Sequence, residues 1–484
     1  MSETWDTIDR YVVISSDCHA GADLRDYKSY LPARWHDEFD AWADSYGSPF
    51  DDLIHATAKR NWDSDFRLAE QDADGVAAEI LFPNTIPPFF PTSALIVIGL
   101  PKTAAEFERR WAGVQAHNRW LADFVALAPK RRRGLVQILP NDVDAAVAEI
   151  RWAVGTGHFG GALLATVPPG HVVPPLNHRC YEPLWSVCEE LDFPIATHNV
   201  AIPDMPMDQP GAKALTLTAG GLWSQFSLQQ LILGGVLERH PGLKLVPTES
   251  GIDWPLQVGA GLDMMLPGMR SDSTNRTMGM FGDEVTDSLS LSATGYVRRH
   301  VWYGASGGTS PKTFAQRHRV GLDRIMWGSD YPHEEGSTPQ SKTHIKWALN
   351  KVPVEDARKI LAGNIAELYG FDLAALVPVA KEIGPLVSEV HAPITVEDFD
   401  GGNVPGRLRT TAVPRRRPAD AQPAGDINLL TDNTPSRLRP ADLHRLRPRP
   451  APVGTADASV DSGTESRVSS TVSMLVNHGP SGPR

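Results

Sequence analysis

The stretch Tyr11-Val12-Val13-Ile14-Ser15-Ser16-Asp17-Cys18-His19 runs from apolar, β-branched residues straight into a carboxylate and an imidazole. Continuous apolar runs of this kind predict a parallel strand covered on both faces. An open doubly wound sheet, the alternative architecture, usually carries a glycine-rich phosphate turn after its first strand. Here the strand ends in Asp17-Cys18-His19 instead. With a side-chain period of two, Asp17 and His19 project to one side and Cys18 to the other, where it packs. Asp-x-His is a pair of metal ligands in waiting, or else a turn-forming Asp beside a capped His.

Moving outward, seven more short apolar runs follow: 77–82, 134–139, 161–167, 193–197, 243–248, 300–304 and 324–328. Helical patterns fill most gaps, at 102–128, 142–154, 181–191, 222–239, 337–349 and 354–369. Eight strands each followed by helix predict an α/β fold, a (β/α)8 TIM barrel of the metal-dependent hydrolase type. Residues 1–375 are assigned to the barrel and 376–398 to an extension. Residues 399–484, rich in Pro and Arg, read as a disordered tail, because they offer too little apolar surface to offset chain entropy.

Composition narrows the function classes. The 484 residues carry a formal net charge of −12, with 41% hydrophobic residues. An acidic body does not attract nucleic acid or anionic membranes. Three cysteines make no disulfide framework, which suits a reducing compartment. MSETWDTIDR has neither the basic flank nor the apolar core of a signal segment, and 94–100 is too short to span a bilayer. The expectation is a cytoplasmic enzyme whose partner is a small molecule.

TIM-barrel chemistry sits at the C-terminal ends of strands. That rule selects His198 after strand five, Glu249 after strand six and Asp330 after strand eight, beside Asp17 and His19. Singly, each has an ordinary reading: a packed core histidine, a surface glutamate, a capping aspartate. Jointly they surround one cavity. Two imidazoles and two carboxylates suit Zn²⁺, Mn²⁺ or Fe²⁺. One zinc is the expected cofactor, held by Asp17, His19, His198 and Asp330. Asp330 or Glu249 would serve as the catalytic acid/base, with Glu249 able to support a second ion. His171, His333, Trp35 and Trp62 are weaker candidates for substrate contact. His240, before strand six, reads as structural, and His178, at a helix start, as capping or exposed.

At these residues the chain resembles the amidohydrolase superfamily, in the branch that contains aminocarboxymuconate semialdehyde decarboxylase and the resorcylate decarboxylases. The resemblance runs from Tyr11 to Phe371. It rests also on Gln71-Asp-Ala-Asp-Gly-Val-Ala-Ala-Glu-Ile-Leu-Phe-Pro83, Tyr181-Glu-Pro-Leu-Trp185, Gly234-Gly-Val-Leu-Glu-Arg-His-Pro-Gly-Leu-Lys244, Gly328-Ser-Asp-Tyr-Pro332 and Ile360-Leu-Ala-Gly-Asn-Ile-Ala-Glu-Leu-Tyr-Gly370. It implies the ligand roles given above, and a homodimer as the assembly to look for. Two departures stand out. Decarboxylating relatives carry a His at the strand-six position, where this chain has Glu249. Binuclear relatives carry a lysine after strand four, where this chain has Thr166. The first departure favours hydrolysis of an acyl bond (amide, ester, lactone or thioester) in an apolar acid derivative. Non-oxidative decarboxylation of an aromatic or unsaturated acid is the alternative, and a metal-free binding barrel the alternative of another class.

Overall fold

The computed structural model describes residues 4–47, 57–84, 86–91, 99–167, 172–198, 208–307, 309–395 and 398. The expected disordered tail, 399–484, and the candidate His171 lie outside the described residues. The account below concerns the unit that ends at Pro414.

Eight strands form among the described residues where apolar runs are read, with ends displaced by no more than four residues. They are β1 (Ile14–Ala20), β2 (Ala78–Pro83), β3 (Arg132–Ile138), β4 (Phe159–Leu164), β5 (Ile195–Thr197), β6 (Leu245–Pro247), β7 (Tyr303–Ala305) and β8 (Ile325–Trp327). Strands β1 to β6 pair in parallel in sequence order, and β7 pairs with β8. Parallel bridges Leu245–Val301 and Thr248–Gly304 join β6 to β7, and Cys18–Tyr331 joins the end of β8 to β1. The cylinder is therefore closed.

Helices α1 (His36–Ser45), α2 (Ser64–Asp74), α3 (Ala104–Ala126), α4 (Val143–Thr156), α5 (Glu182–Glu190), α6 (Ala212–Leu233), α7 (Val236–Arg239) and α8 (Trp254–Met269) are followed by further helices up to Val387–Val390. The caps are local. Asp63 accepts from the Phe66 N–H at the start of α2, and Asp142 accepts from the Ala145 N–H at the start of α4. The single helix read over 222–239 is in fact two, α6 and α7. The break is Gly234-Gly235: Gly235 has φ of 66°, and a Cβ at Gly234 would fall 2.2 Å from Asn177 Cβ. The helix read over 354–369 contains a wider π turn at Lys359–Gly363. Helix α8, with Pro267 and three glycines, was not anticipated.

Alternation along the strands divides the core in two. Ile14, Ile80, Phe82, Leu135, Leu163, Ala196, Val246 and Met326 fill the inside of the barrel. Ile365 and Tyr369 join them from Asn364–Tyr369, and Tyr369 packs under Gly160 at the start of β4. That plugs the N-terminal end and leaves the C-terminal end as the mouth. Cys18, an even four residues from Ile14, nevertheless belongs to the other core, outside the cylinder, because the register of β1 breaks between Ser15 and Cys18 and shifts the alternation by one residue. No helix among the described residues is long and apolar enough to cross a membrane.

Candidate metal centre

Alternation from Ala196 and Met326 brings His198 and Asp330 inward at the mouth, and the register break in β1 does the same for Asp17 and His19. Strand β1 runs on through Asp17 and His19 to Ala20, so both ligand candidates sit inside the strand rather than past its end. Asp17 and Asp330 are fully buried, and His19 and His198 nearly so. His19 Nε2 lies 3.4 Å from Asp17 Oδ1 and 3.3 Å from Asp330 Oδ1. His198 Nε2 lies 3.7 Å from Asp17 Oδ1 and 3.3 Å from Glu249 Oε2. All five residues converge, from β1 and from the ends of β5, β6 and β8.

Asp330 and Glu249 share a backbone feature that sequence did not announce. Both are non-glycine residues in the left-handed region, with φ of 62° and 52°. Such positions persist only where the surroundings hold them, and they concentrate at functional sites. The Asp330 N–H donates to Asp17 O at 2.9 Å, and the Glu249 N–H to Gly304 O at 3.1 Å. Each kink turns a carboxylate back over the mouth.

The fit to a cation can be tested on the atoms that lack partners. Asp17 Oδ1, His19 Nε2, His198 Nε2 and Asp330 Oδ2 are buried and make no hydrogen bond to protein. Leaving buried polar atoms unmade costs about 1–3 kcal/mol each. For three of the four residues the sister atom is held elsewhere. The carbonyl of Pro83 takes His19 Nδ1 at 3.2 Å, Ser306 Oγ donates to Asp17 Oδ2, and His333 Nδ1 lies 2.9 Å from Asp330 Oδ1. The unmade atoms of Asp17, His19 and His198 thus belong to one group of possible ligands, with the Asp330 carboxylate beside it. Ligand atoms about 2.1 Å from one divalent ion are separated by about 3.0–3.4 Å, close to the distances found. Orientation of a ligating imidazole by a bond to its other nitrogen is the usual support of a metal site.

The electrostatics agree. Burial alone would raise the Asp17 carboxyl, but His198 and His19 reverse this and hold it well below the carboxylate range. Burial likewise opposes ionisation of Asp330, and the neighbouring His19 and His333 imidazoles lower it. Burial disfavours charge on the imidazoles, yet Asp17 and Asp330 push His19 up, and Asp17 and Glu249 push His198 up to about 9. With no ion the cluster stores protons between its carboxylates. A cation taking their place would release them.

Of the weaker candidates, His333 is at the site: its ring stacks on His19 at 4.1 Å. Trp35 instead packs on Phe89 at 5.7 Å, and Trp62 is half-buried against the outer core. His240 is structural, wedged between Glu182 and Glu189 at 2.9 and 3.0 Å. Sequence reading missed Ser306, Asn84 and Arg67. Ser306 was within reach, since it follows β7 as Asp330 follows β8. Asn84 ends β2 and lies 3.3 Å from His333 Nε2.

A closed parallel barrel with such a cluster at its C-terminal rim defines a class of enzyme that works with a cation at the strand ends. The match to known proteins is more particular. The profile described as Amidohydrolase fits residues 55–271 and 290–371, more than half of the chain, and the chain belongs to this enzyme family. Among curated proteins, the gamma-resorcylate decarboxylase of Rhodococcus jostii (strain RHA1) is 26% identical over 272 residues, which is 53% of this chain and 75% of that protein. Among solved structures, 5-carboxyvanillate decarboxylase from Sphingomonas paucimobilis superposes with a TM-score of 0.54 at 19% identity, over 75% of this chain and 99% of that one. The enzyme of that name from Novosphingobium aromaticivorans, complexed with manganese and 4-hydroxy-3-methoxy-5-nitrobenzoic acid, gives 0.57 at 19%, over 74% and 96%.

The curated relative overturns the expectation of acyl-bond hydrolysis, because it is a decarboxylase. The expectation leaned on Glu249 standing where relatives carry a His. That substitution does not discriminate: a carboxyl group can pass a proton to carbon as well as take one from water.

Proposed function

We propose that this enzyme is a metal-dependent, non-oxidative decarboxylase of an aromatic or unsaturated carboxylic acid. The observation that carries the reading is the convergence of four buried residues, each with an unpaired ligand atom, in a chain whose curated relative is a gamma-resorcylate decarboxylase. Asp17, His19, His198 and Asp330 would hold one divalent ion. Manganese is favoured over the zinc expected from sequence, given the two carboxylates and the manganese bound by the Novosphingobium enzyme. When bound, the ion supplies a positive charge that fixes the substrate's oxygen donors and draws electron density from the ring.

The rest falls to side chains. Decarboxylation breaks the bond between ring carbon and carboxylate carbon, leaves its electron pair on the ring carbon, and puts a proton there. Carbon dioxide leaves, so the net change consumes one proton per carboxylate. Glu249 is the group placed to hold that proton. Its side chain is 19% exposed against 0% for Asp17 and Asp330, so it can recharge from solvent while facing the cluster. His333 and Asn84 fix the free edge of Asp330.

The test is to load the protein with Mn²⁺ and offer hydroxylated benzoates, including 2,6-dihydroxybenzoate and 5-carboxyvanillate, in D₂O. Carbon dioxide should appear with one deuterium on the vacated carbon. Failure of a fully loaded protein to release carbon dioxide from any member of a broad panel of aromatic and unsaturated acids would defeat the reading.

A further inference from the structure

Behind the rim, between β1, β2 and α2, three charged side chains are shut away from water: Arg67, Glu79 and Arg132. Burying ions costs several kcal/mol each unless every group is met. Most of this cluster's contacts are accounted for by its internal pairing. The Arg67 fork grips Glu79 through Nε at 2.8 Å and Nη2 at 2.6 Å, and Arg132 Nε reaches Glu79 Oε1 at 3.2 Å.

What pairing does not explain is the remaining arm of Arg67. Nη1 donates to the backbone carbonyl of His19 at 2.8 Å and to that of Arg60 at 2.9 Å. The guanidinium also lies 4.5 Å from the ring centre of Tyr331, the residue after Asp330. Tyr331 O in turn accepts the His19 N–H at 2.7 Å. One planar cation therefore touches the main chain of one candidate ligand and the neighbour of another, across the seam where β8 meets β1. Arg132, with the same charge and the same carboxylate, spends its other donors on Ser64 Oγ (2.9 Å) and Phe124 O (3.2 Å), away from the rim.

We propose that Arg67 is a positioning residue for the metal centre: it pins His19 and the Asp330–Tyr331 turn at one separation, so that their ligand atoms meet at one ion. This rests on the metal-site reading above. The contribution is geometric, because a cation behind the site repels a second cation rather than attracting it. The fork matters as much as the charge. Three directions are served at once, Glu79, His19 and Arg60, which an ammonium group cannot do with the same planarity.

The cluster holds two cations and one carboxylate, so Arg67→Met leaves Glu79 paired with Arg132 rather than stranded. The experiment compares full-length wild type, Arg67→Met, Arg67→Lys and Arg132→Met, each stripped with chelator. Mn²⁺ affinity is read from the free-ion electron paramagnetic resonance signal, and thermal midpoints of the stripped proteins are recorded. Arg67→Met should bind Mn²⁺ about 10–100-fold more weakly. Arg67→Lys should fall between it and wild type. Arg132→Met should lose thermal stability but keep wild-type affinity. An Arg67→Met affinity within twofold of wild type overturns the proposal, as does an equal loss in Arg132→Met, which would mean that the cluster acts only on the fold. If Arg67→Met does not fold, Arg67→Lys decides: weaker binding upholds the role and unchanged binding removes it. A wild type that takes up no ion defeats the metal-site reading itself, and this proposal with it, which is a different result from normal uptake by wild type and variant alike.

Discussion

The two sides of the barrel mouth are built differently. On the β8–β1 side the main chains are laced together: Asp330 N–H to Asp17 O at 2.9 Å, His19 N–H to Tyr331 O at 2.7 Å, and Ser329 N–H to Ser15 Oγ at 2.8 Å. Asp17 and Asp330 there are sealed from water. On the β5–β6 side Glu249, beside His198, keeps contact with solvent. Holding a cation requires fixed, desolvated ligands, whereas supplying a proton each turnover requires a route to water. A single rim meets both demands by giving them to opposite sides.

The sharpest way to break this division is to remove a ligand from each side. His19→Ala and His198→Ala should both lose bound metal. Turnover should drop about a thousandfold or more, since a bound cation is worth several kcal/mol at about 1.4 kcal/mol per decade. Metal analysis beside initial rates checks this; full turnover in His198→Ala would detach the β5 side from the cation. The next largest effect is expected from Glu249→Gln. It should keep its metal and lose about a hundredfold or more in kcat, the usual range for a proton-transfer group. Loss of metal in that variant would instead move Glu249 into the ligand set, and the two sides would no longer differ in kind.

How much of this could be read in the sequence follows the same division. The barrel and all five acid and imidazole groups were legible, because burial on both strand faces and position at strand ends are one-dimensional signals. The seam was not. Arg67 lies on a helix 48 residues from the carbonyl it holds, and nothing in its local pattern separates it from a surface arginine. Nor do Asp330 and Glu249 advertise their positive φ, which depends on the bonds to Asp17 O and Gly304 O. The reaction type has a different history: the residue at position 249 does not discriminate between the two reactions, and it is the decarboxylating relative that decides against acyl hydrolysis.

Gly328, two residues before Asp330, sharpens the account of the sealed side. A Cβ there would meet Asp17 Cβ and Ser306 Cβ, both at 2.9 Å. Those neighbours are pinned by the ladder and by the Ser306–Asp17 bond, so they cannot step aside. Gly328→Ala should therefore destabilise the fold by about 1–3 kcal/mol, the usual cost of overpacking, and weaken metal uptake as Asp17 shifts. Denaturant unfolding with and without Mn²⁺ measures both. An unchanged midpoint would show that the seam is more compliant than its bonds suggest.

The smallest effect per residue comes from outside the rim, and separates the stability of the frame from the chemistry of the mouth. His344 and His300 are wired as neutral imidazoles. His344 Nδ1 accepts from Trp327 Nε1 at 3.4 Å while Nε2 reaches Thr309 O at 3.2 Å. His300 Nε2 accepts from Arg299 Nε at 2.8 Å while Nδ1 faces Leu243 O at 2.6 Å. Burial pushes each down to about 4. Between that value and the ordinary 6.5, the unfolded chain binds more protons than the folded one. Stability must then rise with pH across the window and be lost on acidification from about 6.5 towards 4. At pH 5.5 the cost is on the order of 1 kcal/mol for each histidine. Thermal midpoints of metal-free protein, followed from pH 7.5 to 5, should decline along this course. In His344→Gln, whose amide can still donate to Thr309 O, the slope should flatten by about one proton. A slope identical to wild type would exclude His344 as a source of the acid sensitivity and leave His300 to account for it.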